Sequence, residues 1–333
     1  MIAESTSASA GEAPLLEARG LARHYRVSRG YLRGHAIVRA LDGVSFTLEE
    51  GSTLAVVGES GCGKSTLARQ VTMVETPTAG MLLLDGLDVA RAQAAQRRRV
   101  RSQVQMVFQN PYASLNPRRT VGALLAEPLA IQRRGSSAER RDAALAMMAK
   151  VGLRPEHYRR YPHMFSGGQR QRIAVARALM LQPRLVVADE PISALDVSIQ
   201  AQVLNLLLDL QQELGIAYLF IAHNLRVVRH IADTVMVMYA GKAMEQGPKE
   251  AIFARPRHPY TQALLASTPS LRRARRAGQP ASTAEAPSPF TEFSGCAFRS
   301  RCFRAIERCA IEAPMPTTIG GVRVACHRAA DDA

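Results

Sequence analysis

Short apolar runs bounded by charge, glycine or proline alternate along this chain with longer stretches whose apolar residues recur at helical spacing. Val44–Leu48 and Thr53–Val57 read as strands, and Lys64–Met73, which lacks proline and glycine, reads as a helix directly after a glycine-rich turn. Leu185–Asp189, entered just after Pro183 and ending in acid, has the continuous apolar character of a strand covered on both faces; Tyr218–Ala222 and Thr234–Tyr239 repeat it. Within Ser198–Leu214, residues Val203, Leu207, Leu210 and Leu214 fall on one helical stripe. Strands alternating with helices predict an α/β fold with a mostly parallel sheet and helices on its faces.

The same pattern divides the chain. Residues 1–14 are small and polar and read as a disordered tail. A main domain spans 15–270, and its stretch 97–181, rich in arginine and helix formers and broken by Pro111, Pro117 and Pro128, reads as an inserted helical subdomain. Residues 271–289 form a Pro/Ala/Ser linker with a basic start, and 290–333 form a small cysteine-bearing element. No internal repeat is visible.

Composition narrows the function. The 333 residues suffice for roughly two domains of about 150 residues, which excludes a small disulfide scaffold or a hormone. No apolar run approaches the 18 or so residues that span a bilayer, and the first residues have no secretory pattern, so any membrane work falls to a partner. The formal charge of +15 suits an anionic partner, although all but four of the 43 cationic residues are arginine and a genome-wide arginine bias accounts for it equally well. Cys62 stands alone, while Cys296, Cys302, Cys309 and Cys326 crowd the last 40 or so residues, unlike a disulfide framework spread over a secreted domain.

The chemistry lies in three motifs. Gly58-Glu59-Ser60-Gly61-Cys62-Gly63-Lys64-Ser65-Thr66 fits G-x-x-x-x-G-K-[ST] between a predicted strand and a predicted helix, the context of a phosphate loop. Its backbone N–H groups and helix start favour phosphate; Lys64 reaches the β- and γ-phosphates, and the Ser65 hydroxyl holds Mg²⁺. Asp189 and Glu190 stand at the carboxyl end of a buried strand, where α/β sheets bind ligands: Asp189 orients Mg²⁺ and Glu190 serves as general base for water. Ser166-Gly167-Gly168-Gln169, preceded by Phe165, starts a second helix with a serine N-cap, a further anion site that makes sense if it meets the γ-phosphate held by another chain.

Phosphate loop, FSGGQ and acidic pair, in this order along the chain, resemble those of ABC transporter ATPases. The resemblance implies a P-loop nucleotide-binding domain with a mostly parallel core sheet, an antiparallel β subdomain and an inserted helical subdomain. It implies that Gln109 touches Mg²⁺ and couples the site to membrane subunits, that His223 contacts the γ-phosphate, that Asp196 in Ser193–Asp196 speaks across a dimer, and that Tyr25 stacks on adenine. Two positions depart from the usual pattern: Phe165 stands where leucine is commoner, and Asn224 follows His223 where aspartate is usual. With one copy of each motif, the chain supplies half of each of two composite ATP sites.

RHPYTQALL (257–265), FQNPYASLNPR and the cysteine tail further resemble the peptide and nickel importer branch. This implies a cytoplasmic-side, peripheral inner-membrane ATPase paired with a homologous second ATPase subunit, two permeases and a periplasmic binding protein, with dipeptides as cargo class. Nickel, oligopeptide, haem or glutathione importers remain alternatives, and a soluble ABC ATPase acting on nucleic acid is disfavoured because the chain has no zinc hook, long heptad run or second ATPase unit. The spacing Cys296-x₅-Cys302-x₆-Cys309-x₁₆-Cys326 leaves three readings open: zinc, an iron–sulfur cluster, or reduced structural thiols. The lack of paired C-x₂₋₄-C knuckles favours the cluster, and the resemblance implies a 4Fe-4S cluster.

Overall fold

The computed structural model describes residues 13–28, 35–110, 114–267, 288, 291 and 293–332. The predicted tail, apart from its last two residues, and the predicted linker, apart from Ser288, lie outside them.

The described chain begins with β1 (Leu16–Ser28) and β2 (His35–Leu48), then β3 (Thr53–Val57), α1 (Lys64–Val71), β4 (Ala79–Leu84), β5 (Leu87–Asp88), α2 (Ala94–Gln103) and β6 (Val104–Val107). Three helices follow, α3 (Val121–Ile131), α4 (Ser137–Lys150) and α5 (Gly167–Leu179). The chain then returns through β7 (Leu185–Asp189), α6 (Val197–Leu214), β8 (Ala217–Ala222), α7 (Leu225–Ile231), β9 (Thr234–Tyr239), β10 (Lys242–Pro248), α8 (Lys249–Ala254) and α9 (Pro259–Ser267). The last elements are α10 (Arg308–Ile311), β11 (Thr317–Ile319) and β12 (Val322–Val324).

Two sheets result. The smaller, β2-β1-β4-β5, is antiparallel throughout. The larger runs β11-β12-β10-β9-β3-β8-β7-β6, parallel from β9 to β6 and antiparallel at the β10, β12 and β11 edge. Every residue of β3 and β8 is buried because both faces of the central sheet are covered, which is why these strands read as unbroken apolar runs. The faces separate cleanly along β3. Ala55 and Val57 join one core with the inserted helices, α6 and α7, while Leu54 and Val56 join a second with α1 and the small antiparallel sheet.

Two features depart from the pattern reading. β6 lies inside the stretch 97–181 yet belongs to the core sheet, pairing in parallel with β7 through Val104 and Leu185, so the inserted helices begin only at Val121. The C-terminal element is not a free appendage, because β12 adds to β10 with Glu245 opposite Val324 and Gln246 opposite Arg323.

Candidate nucleotide site

Loop 58–66 leaves β3 and enters α1 through backbone that only glycine accommodates. Gly63, the N-cap of α1, has φ 106°, and a Cβ there would lie 2.2 Å from the Ala40 carbonyl oxygen. Gly58 is equally confined, its absent Cβ falling 2.2 Å from the Met238 carbonyl oxygen. No side chain caps α1, so its first N–H groups are available to an anion. Lys64 is buried at the loop, its Nζ donating to the carbonyls of Gly58 and Glu59, each at 2.8 Å. Ser60, Gly61 and Ser65 are exposed and Thr66 is half-buried, whereas Cys62 is buried and its thiol is pushed up by burial, the behaviour of a packing residue.

The Ser65 hydroxyl lies beside the Asp189 carboxylate and acts on it, so two hard oxygen donors of the kind magnesium takes stand together. Burial pushes the Asp189 carboxyl above the usual carboxylate range, the Ser65 hydroxyl opposing and the neighbouring Glu190 charge adding to the shift. Glu190 itself adopts φ 45°, a left-handed conformation costly for a non-glycine residue, with its N–H held by the Ile221 carbonyl at 3.0 Å. That turn brings one carboxylate oxygen to a meeting point. Gln109 Nε2 donates to Glu190 Oε2 at 2.9 Å, and His223 Nδ1 lies 3.1 Å from the same oxygen. Gln109 and His223 are exposed while Glu190 is half-buried, so the base sits beneath two groups that face solvent.

Ser166 caps α5 with a complete capping box: its hydroxyl accepts from the Gln169 N–H at 3.3 Å, and its own N–H donates to the Gln169 side chain at 3.1 Å. Gly167 and Gly168 follow, and a Cβ on Gly168 would meet Ile199 Cγ2 at 2.5 Å, so α5 presses against the start of α6. Asp196 is the exposed N-cap of α6 without a side-chain cap bond, and Ser193 Oγ donates to the Glu190 carbonyl at 3.0 Å. Among the described residues, no hydrogen bond joins Ser166–Gln169 to loop 58–66. Phe165 packs edge-on against His157, 5.1 Å between ring centroids, and Asn224 caps α7 by accepting from the Arg226 N–H at 3.0 Å. Tyr25 is half-buried in β1, its hydroxyl bonded to Glu75 and its ring 4.7 Å from the Arg23 guanidinium.

Two partners of the loop escaped the sequence. Arg301 of the C-terminal element holds the Glu59 carboxylate through both oxygens at 2.7 and 2.8 Å, and the Glu59 N–H donates to the Tyr260 hydroxyl at 2.9 Å. Arg301 is one cation among many in its segment, with no local signal to set it apart. Nearby, the charges of Cys309, Cys302 and Cys326 each bear on Cys296, and burial pushes the Cys296 thiol up to about 11. Burial raises the Cys302 and Cys326 thiols too. Among the described residues no three His, Cys, Asp or Glu side chains are disposed to hold a metal ion, so the four thiols are gathered but do not form a ready ligand set.

Known proteins share this arrangement. The ABC transporter family matches residues 41–193, and the oligopeptide/dipeptide transporter C-terminal region matches residues 244–309. The chain is 59% identical over 315 residues to a di/tripeptide transport ATP-binding protein of Pseudomonas aeruginosa, covering 95% of this chain and 98% of that protein. It is 56% identical to a dipeptide transport ATP-binding protein of Escherichia coli, with 98% of each covered. Among solved structures, a dimeric ATP-binding cassette in a post-hydrolysis state with ADP and phosphate superposes with a TM-score of 0.62 at 27% identity, over 70% of this chain and 98% of that one. No described helix is long and apolar enough to cross a membrane. With near-complete coverage at such identity, and with the phosphate loop, acidic strand end and capped glycine helix all in place, the chain belongs to the ABC transporter ATP-binding proteins, in their oligopeptide/dipeptide branch.

Proposed function

We propose that this chain hydrolyses ATP at the cytoplasmic face of the inner membrane to drive import of dipeptides and other short peptides. The observation that supports the catalytic assignment best is the convergence of Gln109 and His223 on Glu190 Oε2, beside the Ser65–Asp189 pair. Lys64 and the loop amides bind and orient the triphosphate. Magnesium, when bound by Ser65, Asp189 and Gln109, neutralises charge on the phosphates. Glu190 takes the proton of the attacking water, and its two neighbours keep the carboxylate aimed. Tyr25 offers its ring to adenine.

The glycine start of α5 serves a nucleotide held by a second subunit, with Ser166, Gly167, Gly168 and Gln169 facing that chain's phosphate loop. We assign this partner as a homologous ATPase, forming a heterodimer in which Asp196 lies at the junction, and the assembly includes two permeases and a periplasmic peptide-binding protein. The cargo assignment follows the two peptide-transport relatives, and the chain itself does no chemistry on the peptide. Glu190→Gln should retain MgATP binding and lose about 10²–10⁴-fold in kcat in the assembled transporter. Rapid hydrolysis by that variant would overturn the role of Glu190, and dipeptide uptake undiminished in cells lacking the chain would overturn the cargo.

A 4Fe-4S cluster on Cys296, Cys302, Cys309 and Cys326 is a second reading, supported by the gathering of these thiols in one element. Protein purified without oxygen should then carry iron and a visible absorbance that dithionite bleaches; colourless, iron-free protein with wild-type ATPase activity ends this reading.

A further inference from the structure

Glu59 is held at three points, which is unusual for a loop position whose side chain has no phosphate to bind. Its carbonyl accepts from Lys64 Nζ, its N–H donates to the Tyr260 hydroxyl, and its carboxylate is gripped by both arms of the Arg301 guanidinium across 242 residues of chain. Arg301 is itself built in: its side chain is 14% exposed and its guanidinium lies 5.8 Å from the ring centroids of Tyr239 and of Phe298. Phe298 is fully buried against Tyr239 and Tyr260, so the three rings form one wall behind the loop. The Glu59 pair holds the Arg301 guanidinium still more firmly in its charged form.

We propose that Arg301 is a positioning residue for nucleotide binding, acting through the charge of Glu59, so that the C-terminal element sets the charge that the phosphate loop presents. Arg301 reaches the loop through the Glu59 carboxylate. It neutralises a carboxylate that stands in the loop and would otherwise repel the triphosphate. The inference rests on loop 58–66 being the ATP site. A wild-type chain that binds no MgATP would sink that assignment, whereas wild type and variants binding equally would sink only the inference.

The test is a charge-balance series in the full-length chain, read as MgATP affinity of the chain and as KM and kcat of the assembled transporter. Arg301→Ala should raise KM for MgATP about tenfold while kcat stays within about threefold, because a charge left unpaired weakens nucleotide binding. Arg301→Lys, which keeps the cation and loses the fork, should fall between. Adding Glu59→Gln to Arg301→Ala should return KM to within about threefold of wild type, since the unpaired charge is gone. A purely structural role predicts the opposite: the second substitution would deepen the loss. An unchanged KM in Arg301→Ala, or a double variant no better than the single, overturns the proposal. Should Arg301→Ala fail to fold, Arg301→Lys decides alone: its KM effect must vanish in a Glu59→Gln background, and persistence of that effect overturns the proposal.

Discussion

Two helices of this chain begin at glycines, and they are finished in opposite ways. α1 starts at Gly63 in left-handed backbone with no side-chain cap, so its amides are left for an outside anion, and its loop is braced from behind by β9, Tyr260 and Arg301. α5 starts at Ser166 with a complete capping box, satisfied by its own residues and standing at the exposed surface. The first is a binding site built into the fold. The second needs nothing from its own chain, and in the proposed composite site its chemistry would appear only when another subunit presents a phosphate. An uncapped helix start costs stability unless a ligand or a scaffold compensates, which is why the braced helix is the one with buried supports.

The comparison predicts that the braced start is rigid where the capped one gives way. Gly63→Ala should cause the largest loss: about 1–3 kcal/mol of backbone strain plus a similar overlap with the Ala40 carbonyl, which has no room to retreat. MgATP binding measured by titration should disappear; affinity within twofold of wild type would mean that the loop is not held as described.

Acid should loosen the brace. His258 is fully buried beside Phe298, its ring nitrogen accepts from the Tyr260 N–H, and burial lowers its pKa to about 4. As the folded value lies below the ordinary 6.5, the neutral ring's support is complete above that value and is lost as pH falls from 6.5 towards 4, at most about 3 kcal/mol. Glu245, whose carboxyl burial raises, titrates in the opposing sense, so the contribution is isolated by difference from His258→Gln. Hydrogen exchange at loop 58–66 should rise with acid in the wild type and less so in His258→Gln. An identical pH dependence in His258→Gln would remove His258 from the account.

How much of this was visible in the sequence follows from how local each feature is. The phosphate loop, the strand ending in Asp189 and Glu190, and the capped FSGGQ helix use contiguous residues, so spacing alone carries them. The meeting of Gln109, Glu190 and His223 on one oxygen joins residues that lie 81 positions apart from Gln109 to Glu190 and further still to His223, and only the resemblance to a family named the two flanking members. Arg301 was hidden by its own abundance, since most cations of this chain are arginine. β6, β11 and β12, with three or four residues each, are too short for periodicity to register, so neither the true start of the helical insertion nor the docking of the C-terminal element on the sheet could be foreseen.

Smaller effects belong to the capped helix. Gly168→Ala meets not backbone but the Cγ2 methyl of Ile199, 2.5 Å away, in ordinary helical backbone, so it should cost about 1–3 kcal/mol. Pairing it with Ile199→Ala should recover most of the lost ATPase activity; no recovery would show that the glycine is needed for a reason other than this contact.

Ser166→Ala is the mildest change for the fold and the most informative for the dimer. Removing the hydroxyl costs the helix start about 1 kcal/mol, because the Gln169 side chain still accepts from the backbone N–H at 166. A melting shift of a few degrees checks this. Asparagine caps as well as serine, so Ser166→Asn should restore the melting temperature. On the composite-site proposal it should not restore hydrolysis in the assembled transporter, since the bulkier amide would fill the space proposed for the partner's γ-phosphate. If Ser166→Asn recovers stability and turnover together, the serine is a cap and nothing more, and the reading of α5 as half of a composite site falls.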